Sequence, residues 1–175
     1  MTEKQINGKT VRVIYGDLTL TDAESFVFYA RPDLKLGTGY GNMVSLRGGP
    51  KIQEELNQIG SLEVGKAVAT TAGKLKAQCI IHAVGPSFSE EDTPGKLRHA
   101  VENALAVAKE KGVKSIVFPP MGTGFYGVEP SLSARVMMEA IGAHLENSAT
   151  LEEITICVRD PWETAPYEAA LSALA

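Results

Sequence analysis

Ser115-Ile116-Val117-Phe118-Pro119-Pro120-Met121-Gly122-Thr123-Gly124-Phe125-Tyr126-Gly127 passes from an apolar, β-branched run into a glycine-rich bend. Pro130 then opens a stretch carrying Leu132, Val136, Ile141 and Leu145 at helical spacing, with Met137 beside them. Strand, bend and helix in succession is the unit of an α/β protein, and the rest of the chain repeats it. Strands are expected at Val11 to Tyr15, Phe26 to Ala30, Ala67 to Thr71, Cys79 to Val84, Ser115 to Phe118 and Ile154 to Val158. Several are almost wholly apolar, as strands covered on both faces are. A helix begins at Thr93, read as its N-cap with Pro94 at the first position, and ends at Gly112. Leu97, Val101, Leu105 and Ala108 mark its inner stripe. Another, started by Pro50 and stopped by Gly60, contains Gln53 to Ile59, and a last one runs from about Pro166 to the C-terminus. The expected class is α/β, with helices on both faces of one sheet.

The 175 residues are enough for one hydrophobic core, so a single domain over residues 1–175 is expected. No apolar run reaches the ~18 to 20 residues of a membrane span. Met1 to Lys9 is polar, and a cytoplasmic protein that avoids membranes is the expectation. Seventeen Lys and Arg against 21 Asp and Glu give a net charge of −4, which works against general nucleic-acid binding. Cys79 and Cys157 lie within apolar strands and read as buried thiols. His82 reads as a core or edge histidine on the opposite face from Cys79, while His99 and His144 sit on separate helices. Neither a metal site nor a cofactor is expected.

A second glycine-rich turn, Gly37-Thr38-Gly39-Tyr40-Gly41-Asn42, precedes helical residues Met43, Val44 and Leu46. Glycines let successive backbone amides face one concavity, and a helix start adds the positive end of its dipole. One such turn is simply a tight turn. Two of them after strands describe a cradle for the phosphates of a nucleotide-like ligand, because open α/β sheets bind beyond the carboxyl ends of their strands. Gly122, Thr123, Gly124, Phe125 and Tyr126 would supply amides, a hydroxyl and two aromatics from the other wall. No Gly-Lys-Ser/Thr follows either turn, and the dinucleotide fingerprint is not met.

Four ordered motifs resemble the macrodomain family of ADP-ribose-binding modules across nearly the whole chain. Val13-Ile14-Tyr15-Gly16-Asp17-Leu18-Thr19 is similar to that family's first strand and "GDIT" signature. Gly48-Gly49-Pro50 with Glu54-Glu55-Leu56 resembles the helix after its first ligand loop. Ile80-Ile81-His82-Ala83-Val84-Gly85-Pro86 resembles "IHTVGP", and Phe118-Pro119 through Tyr126-Gly127 resembles "FPAISTGVYG". The resemblance implies a three-layer α/β/α fold around a mixed sheet, and a partner that is ADP-ribose or an ADP-ribosylated macromolecule. It also implies an adenine contact at Asp17 with the Leu18 backbone beside it, and diphosphate contacts at Tyr40 and its neighbours. Gly122 to Tyr126 would wrap the phosphates and the distal ribose. From the residues alone, Asp17 reads equally as a cap for the following turn. Phe125 and Tyr126 read equally as core aromatics.

Other positions depart from the pattern. The hydrolytic members carry Asn-Ala-Ala-Asn where this chain has Phe28-Tyr29-Ala30-Arg31, and the acid that follows their loop glycines aligns with Gly41. A base must lie within hydrogen-bond reach of the water it activates, so binding is favoured over catalysis. An ADP-ribosyl hydrolase rearranged around Arg31, Asp33 and Tyr29 is the alternative. Asp33 and Glu129 are the nearest remaining acids, and both read first as solvated loop charges. Arg31 is either a turn residue before Pro32 or a fork reaching the ligand's distal end, and the inward reading is taken. After the last strand, Arg159 or Trp162 could lie against adenine. Trp162 reads slightly better as a plug before the last helix.

Overall fold

The computed structural model describes residues 1–148 and 150–175. Seven strands form one sheet in the order β1-β2-β7-β6-β3-β5-β4. They are β1 (Thr2–Ile6), β2 (Lys9–Tyr15), β3 (Ser25–Ala30), β4 (Ala67–Thr71), β5 (Cys79–Val84), β6 (Ser115–Phe118) and β7 (Glu153–Val158). The five central strands run parallel, and β1 and β4 close the two edges antiparallel. Five helices cover the sheet: α1 (Tyr40–Gly48), α2 (Lys51–Ile59), α3 (Thr93–Lys111), α4 (Pro130–Asn147) and α5 (Thr164–Ala173).

The period-two alternation of the strands sorts the core into two layers. Val11, Val13, Val27, Ile81 and Ile116 pack under α3, α4 and α5. Phe26, Phe28, Ile80, Val84 and Val117 face the other way, against Val44 of α1 and Ile52 and Leu56 of α2. This is the expected three-layer α/β/α arrangement. Because the central strands are parallel, Tyr15, Val158, Phe118, Ala30 and Val84 end on one edge, and the loops that follow them meet there.

Three features differ from the sequence reading. The polar start hides β1, an edge strand whose first four residues alternate between partly buried and exposed positions before the buried Ile6. It pairs with β2 through Asn7-Gly8, both at positive φ (51° and 75°), the two-residue hairpin turn that this dipeptide favours. The cap of α3 is Asp92 rather than Thr93: its carboxylate accepts from Gly95 N at 3.2 Å, while the buried Thr93 hydroxyl donates to Ser87 O and Glu90 O. The last helix starts at Thr164, two residues before Pro166, which fits a first turn whose amides have no intrahelical acceptor.

Candidate functional site

The first loop runs from Arg31 to Gly39 and is fastened from beneath. Leu34 and Leu36 are buried, and the Gln53 amide of α2 receives Leu36 N at 3.0 Å and donates to Leu34 O at 3.1 Å. The chain then folds back so closely that a Cβ on Gly41 would lie 1.7 Å from the Leu36 carbonyl oxygen. No side chain fits there, which is why this loop ends in glycine. The first backbone bond of α1 is Met43 N to Gly39 O, 3.2 Å, leaving the Tyr40, Gly41 and Asn42 amides without helical acceptors. Gly39 caps the helix without a side-chain bond. These amides form an anion-accepting end.

The second loop follows β6 and ties itself together. Val128 N donates to Gly122 O at 2.9 Å and Gly127 N to Gly124 O at 2.9 Å, enclosing a 3-10 turn over Gly124–Tyr126. Gly122 has φ +81°, and a Cβ there would come within 2.8 Å of Val128 and 3.2 Å of the Tyr29 hydroxyl. Below the loop, Tyr167 donates to Ser133 Oγ at 2.8 Å, and Ser133 donates to Met121 O at 2.7 Å, all three residues being buried.

A cavity of about 440 Å³ lies between the loops. Of the expected residues, Leu18, Arg31, Gly37, Thr38, Gly39, Tyr40 and Gly41 line it, together with Gly122, Thr123, Gly124, Phe125, Tyr126 and Arg159. Arg31 therefore borders the cavity, held by Asp33 through a 2.8 Å ion pair. A second cavity of about 320 Å³ adjoins it and contains Asp17. Asp17 takes the capping role, accepting from Thr19 N (2.9 Å) and Thr19 Oγ1 (2.7 Å) on one oxygen and from Arg47 (2.7 Å) on the other. Burial pushes its carboxyl upward, but the bonds from Arg47 and Thr19 outweigh that and hold it below the usual range.

Two expected residues lie outside both cavities. Asn42 is exposed, because two positions along a helix from Tyr40 its side chain points to the far side; only its amide faces the anion end. Trp162 sits in the 3-10 turn Pro161–Glu163 and is 69% exposed, so it neither plugs the joint nor lines the cleft. Arg159 takes the aromatic contact instead, its guanidinium carbon 5.0 Å from the centre of the Tyr40 ring. Phe125 is 96% exposed and is no core residue. Asp33 and Glu129 both stay out of the cavity.

Glu163 was not legible from its neighbours. It lines the main cavity, yet is 4% exposed. Burial raises its carboxyl above the usual range, opposed by the Thr123 hydroxyl and reinforced by Asp160. Tyr29 completes the inner wall; it bonds to Pro86 O and meets the Tyr126 ring edge to face at 4.7 Å between centres. Burial, then Tyr126 and Glu90, keep its phenol protonated.

His82 is fully buried behind this wall, with Nε2 2.8 Å from Thr70 Oγ1 and Nδ1 unpaired, and burial pushes its pKa down to about 3. Cys79 and Cys157 are buried free thiols. Among the described residues no group of three His, Cys, Asp or Glu side chains could hold a metal, and no helix is long and apolar enough to cross a membrane.

Residues 30–137 match the model of the Macro domain, more than half of the chain. The chain belongs to the macrodomain family. It is 36% identical over 181 residues to an uncharacterized protein of Thermotoga maritima, a match covering 97% of this chain but only 30% of that relative's length. It is 33% identical over 158 residues to O-acetyl-ADP-ribose deacetylase 1 of Pantoea vagans, covering 87% and 92% of the two chains. A variant of the Oceanobacillus iheyensis macrodomain with ADPR superposes with a TM-score of 0.90 at 26% identity, covering 99% of this chain and 97% of that one.

Proposed function

We propose that this macrodomain binds ADP-ribose or a related ADP-ribosyl nucleotide, free or attached to a macromolecule, through its two glycine-rich loops. One observation carries the reading: the loops face each other across a single cavity, with backbone amides at one end and Arg31 and Arg159 as its basic lining residues. A chain of net charge −4 holds a diphosphate by such local geometry, not by long-range attraction. The Asp17 cavity next door suits a base with an exocyclic amino group, since an ionised carboxylate only accepts hydrogen bonds. The Oceanobacillus iheyensis macrodomain variant with ADPR supports the same ligand. The protein is proposed to act in the cytoplasm as one domain. Calorimetry with ADP-ribose, ADP and AMP tests the assignment; a Kd in the micromolar range for ADP-ribose is expected, about −8 kcal/mol. Absence of binding by all three would refute it.

A second reading, hydrolysis of an ADP-ribose derivative, is favoured by the name of the Pantoea vagans relative and by one side chain. Gly41 has no room for an acid, and Asp33 is turned away, but Glu163 places a buried carboxyl on the cavity wall. Incubation with O-acetyl-ADP-ribose and with ADP-ribosylated protein decides it. Release that Glu163→Gln abolishes supports hydrolysis, and no release from either substrate removes it.

A further inference from the structure

Asp160 and Glu163 both line the main cavity, the first exposed and the second buried. Glu163 occupies the N-cap position of α5 yet makes no side-chain capping bond. Its carboxyl meets the second loop instead, where the Thr123 hydroxyl reaches it. That hydroxyl has another acceptor in Pro120 O, at 3.4 Å too distant to hold it firmly. Thr123 also lines the cavity, so its O–H can turn between the carboxyl and a ligand.

A diphosphate brings negative charge into this space. Glu163 then faces like charge from the ligand as well as from Asp160, and like charges in one site drive a carboxylate to take a proton. An ionised Glu163 draws the Thr123 proton to itself and leaves only hydroxyl lone pairs toward the phosphates. The neutral acid donates to Thr123 Oγ1 and releases the hydroxyl proton to a phosphate oxygen, a charge-assisted bond.

We propose that Glu163 is a positioning residue that takes a proton from solvent as ADP-ribose binds and thereby turns the Thr123 hydroxyl toward the phosphates. The proposal rests on the ADP-ribosyl reading of the cleft. Burial already favours the neutral acid, so the uptake is cheap. The groups around Glu163 do not replace it as the titrating site. Arg159 at the end of β7 and Arg31 across the cavity are permanently charged. Burial raises the phenols of Tyr29, Tyr40 and Tyr126 on the cavity wall and of Tyr167 on α5, so they stay protonated. Affinity therefore falls as pH rises from the Glu163 value of the free protein toward the higher value of the complex.

Calorimetric titration of ADP-ribose at pH 6 and pH 9 tests the coupling, because both phosphates of this ligand are diesters that do not titrate between those values. Wild type should bind about tenfold more weakly at pH 9, whereas Glu163→Gln, whose amide donates at any pH, should stay within about twofold. Thr123→Val should weaken binding by about tenfold at pH 6 and by less than about twofold at pH 9, where wild type has already lost the bond. A wild-type affinity independent of pH, or an equal Thr123→Val loss at both values, overturns the proposal and leaves the ADP-ribosyl reading standing; no binding by any of these proteins at either pH removes both. Wild type also supplies a measurement that does not depend on a variant folding. In buffers of different ionisation enthalpy at pH 8, ADP-ribose should bind with uptake of at least about half a proton per site, and zero uptake overturns the proposal. So does recovery of wild-type binding at pH 9 on adding Mg²⁺, which would give the carboxyl a cation in place of a proton.

Discussion

The two walls of the cleft are both glycine-rich, but they hold their shape by different means. The Arg31–Gly39 loop is rigid because backbone packs on backbone, with Gly41 against Leu36 and Gln53 clamping the loop from α2. The Gly122–Gly127 loop carries its own hydrogen bonds and stands on a buried polar column, Tyr167 to Ser133 to Met121 O, while its tip projects into solvent at Phe125. The first wall has no room for an added atom at Gly41. The other can change at the tip if its base stays intact.

The sharpest way to break this contrast is Gly41→Asp, which places the acid of the hydrolytic pattern where a Cβ overlaps the Leu36 carbonyl. The loop must move, so ADP-ribose affinity should fall by at least about 100-fold and stability by more than about 2 kcal/mol. Gly124→Ala is the control from the opposite wall. It has φ +69° and nothing within 4 Å of an added Cβ, so only the left-handed backbone cost of about 1 kcal/mol applies. Calorimetry and urea unfolding of both variants read the difference; equal losses would show that the first loop is not the rigid one.

The polar column comes next. Ser133→Ala removes the acceptor of the buried Tyr167 hydroxyl and the donor to Met121 O, and should cost about 1 to 3 kcal/mol in urea unfolding. Tyr167→Phe leaves Ser133 still bonded to Met121 O and should cost less, about 1 kcal/mol. If the double variant loses the sum of the two single losses, the column does not act as a unit.

Charge sharpens the comparison with opposite signs on either side. The Asp17 carboxyl is held low by Arg47 and Thr19, so its contribution is present above the ordinary Asp range and disappears as pH falls through its folded-state value. Glu163 is raised by burial, so the stability it permits is full below the ordinary Glu range and declines as pH rises toward its folded-state value. Glu163→Gln should therefore gain stability over wild type at pH 8, and the gain should vanish near pH 4, whereas Asp17→Asn should lose stability at pH 8 and approach wild type in acid. Chemical denaturation of the three proteins across that range checks both signs. A Glu163→Gln difference that does not change with pH would mean that the side chain packs without titrating.

These contrasts were unevenly legible in the chain. Apolar strand runs and the two glycine turns stand out because burial on both faces and left-handed backbone each demand particular residue types. The Asn7-Gly8 hairpin signal was present, but the polar alternation of an edge strand beside it resembles a loop. The side chains of Asn42 and Trp162 lie away from the cavities, since helix phase turns one outward and a 3-10 turn presents the other to solvent. Glu163 had no local signal at all: it is buried with the Thr123 hydroxyl of the second loop bonded to it, and composition alone places glutamates outside.

The smallest effect belongs to the most exposed of the large apolar side chains among the described residues. Phe125 makes an edge contact with Tyr126 at 5.6 Å between ring centres and otherwise meets solvent, so Phe125→Ser should leave stability within about 0.5 kcal/mol of wild type. Ligand binding gives the ring its purpose if it covers the bound molecule. ADP-ribose affinity should then drop by about three- to tenfold, roughly the worth of one aromatic contact. Unchanged affinity would confine the second wall's contribution to its backbone and to Tyr126. The tip would then be free to vary without cost to either the fold or the cleft.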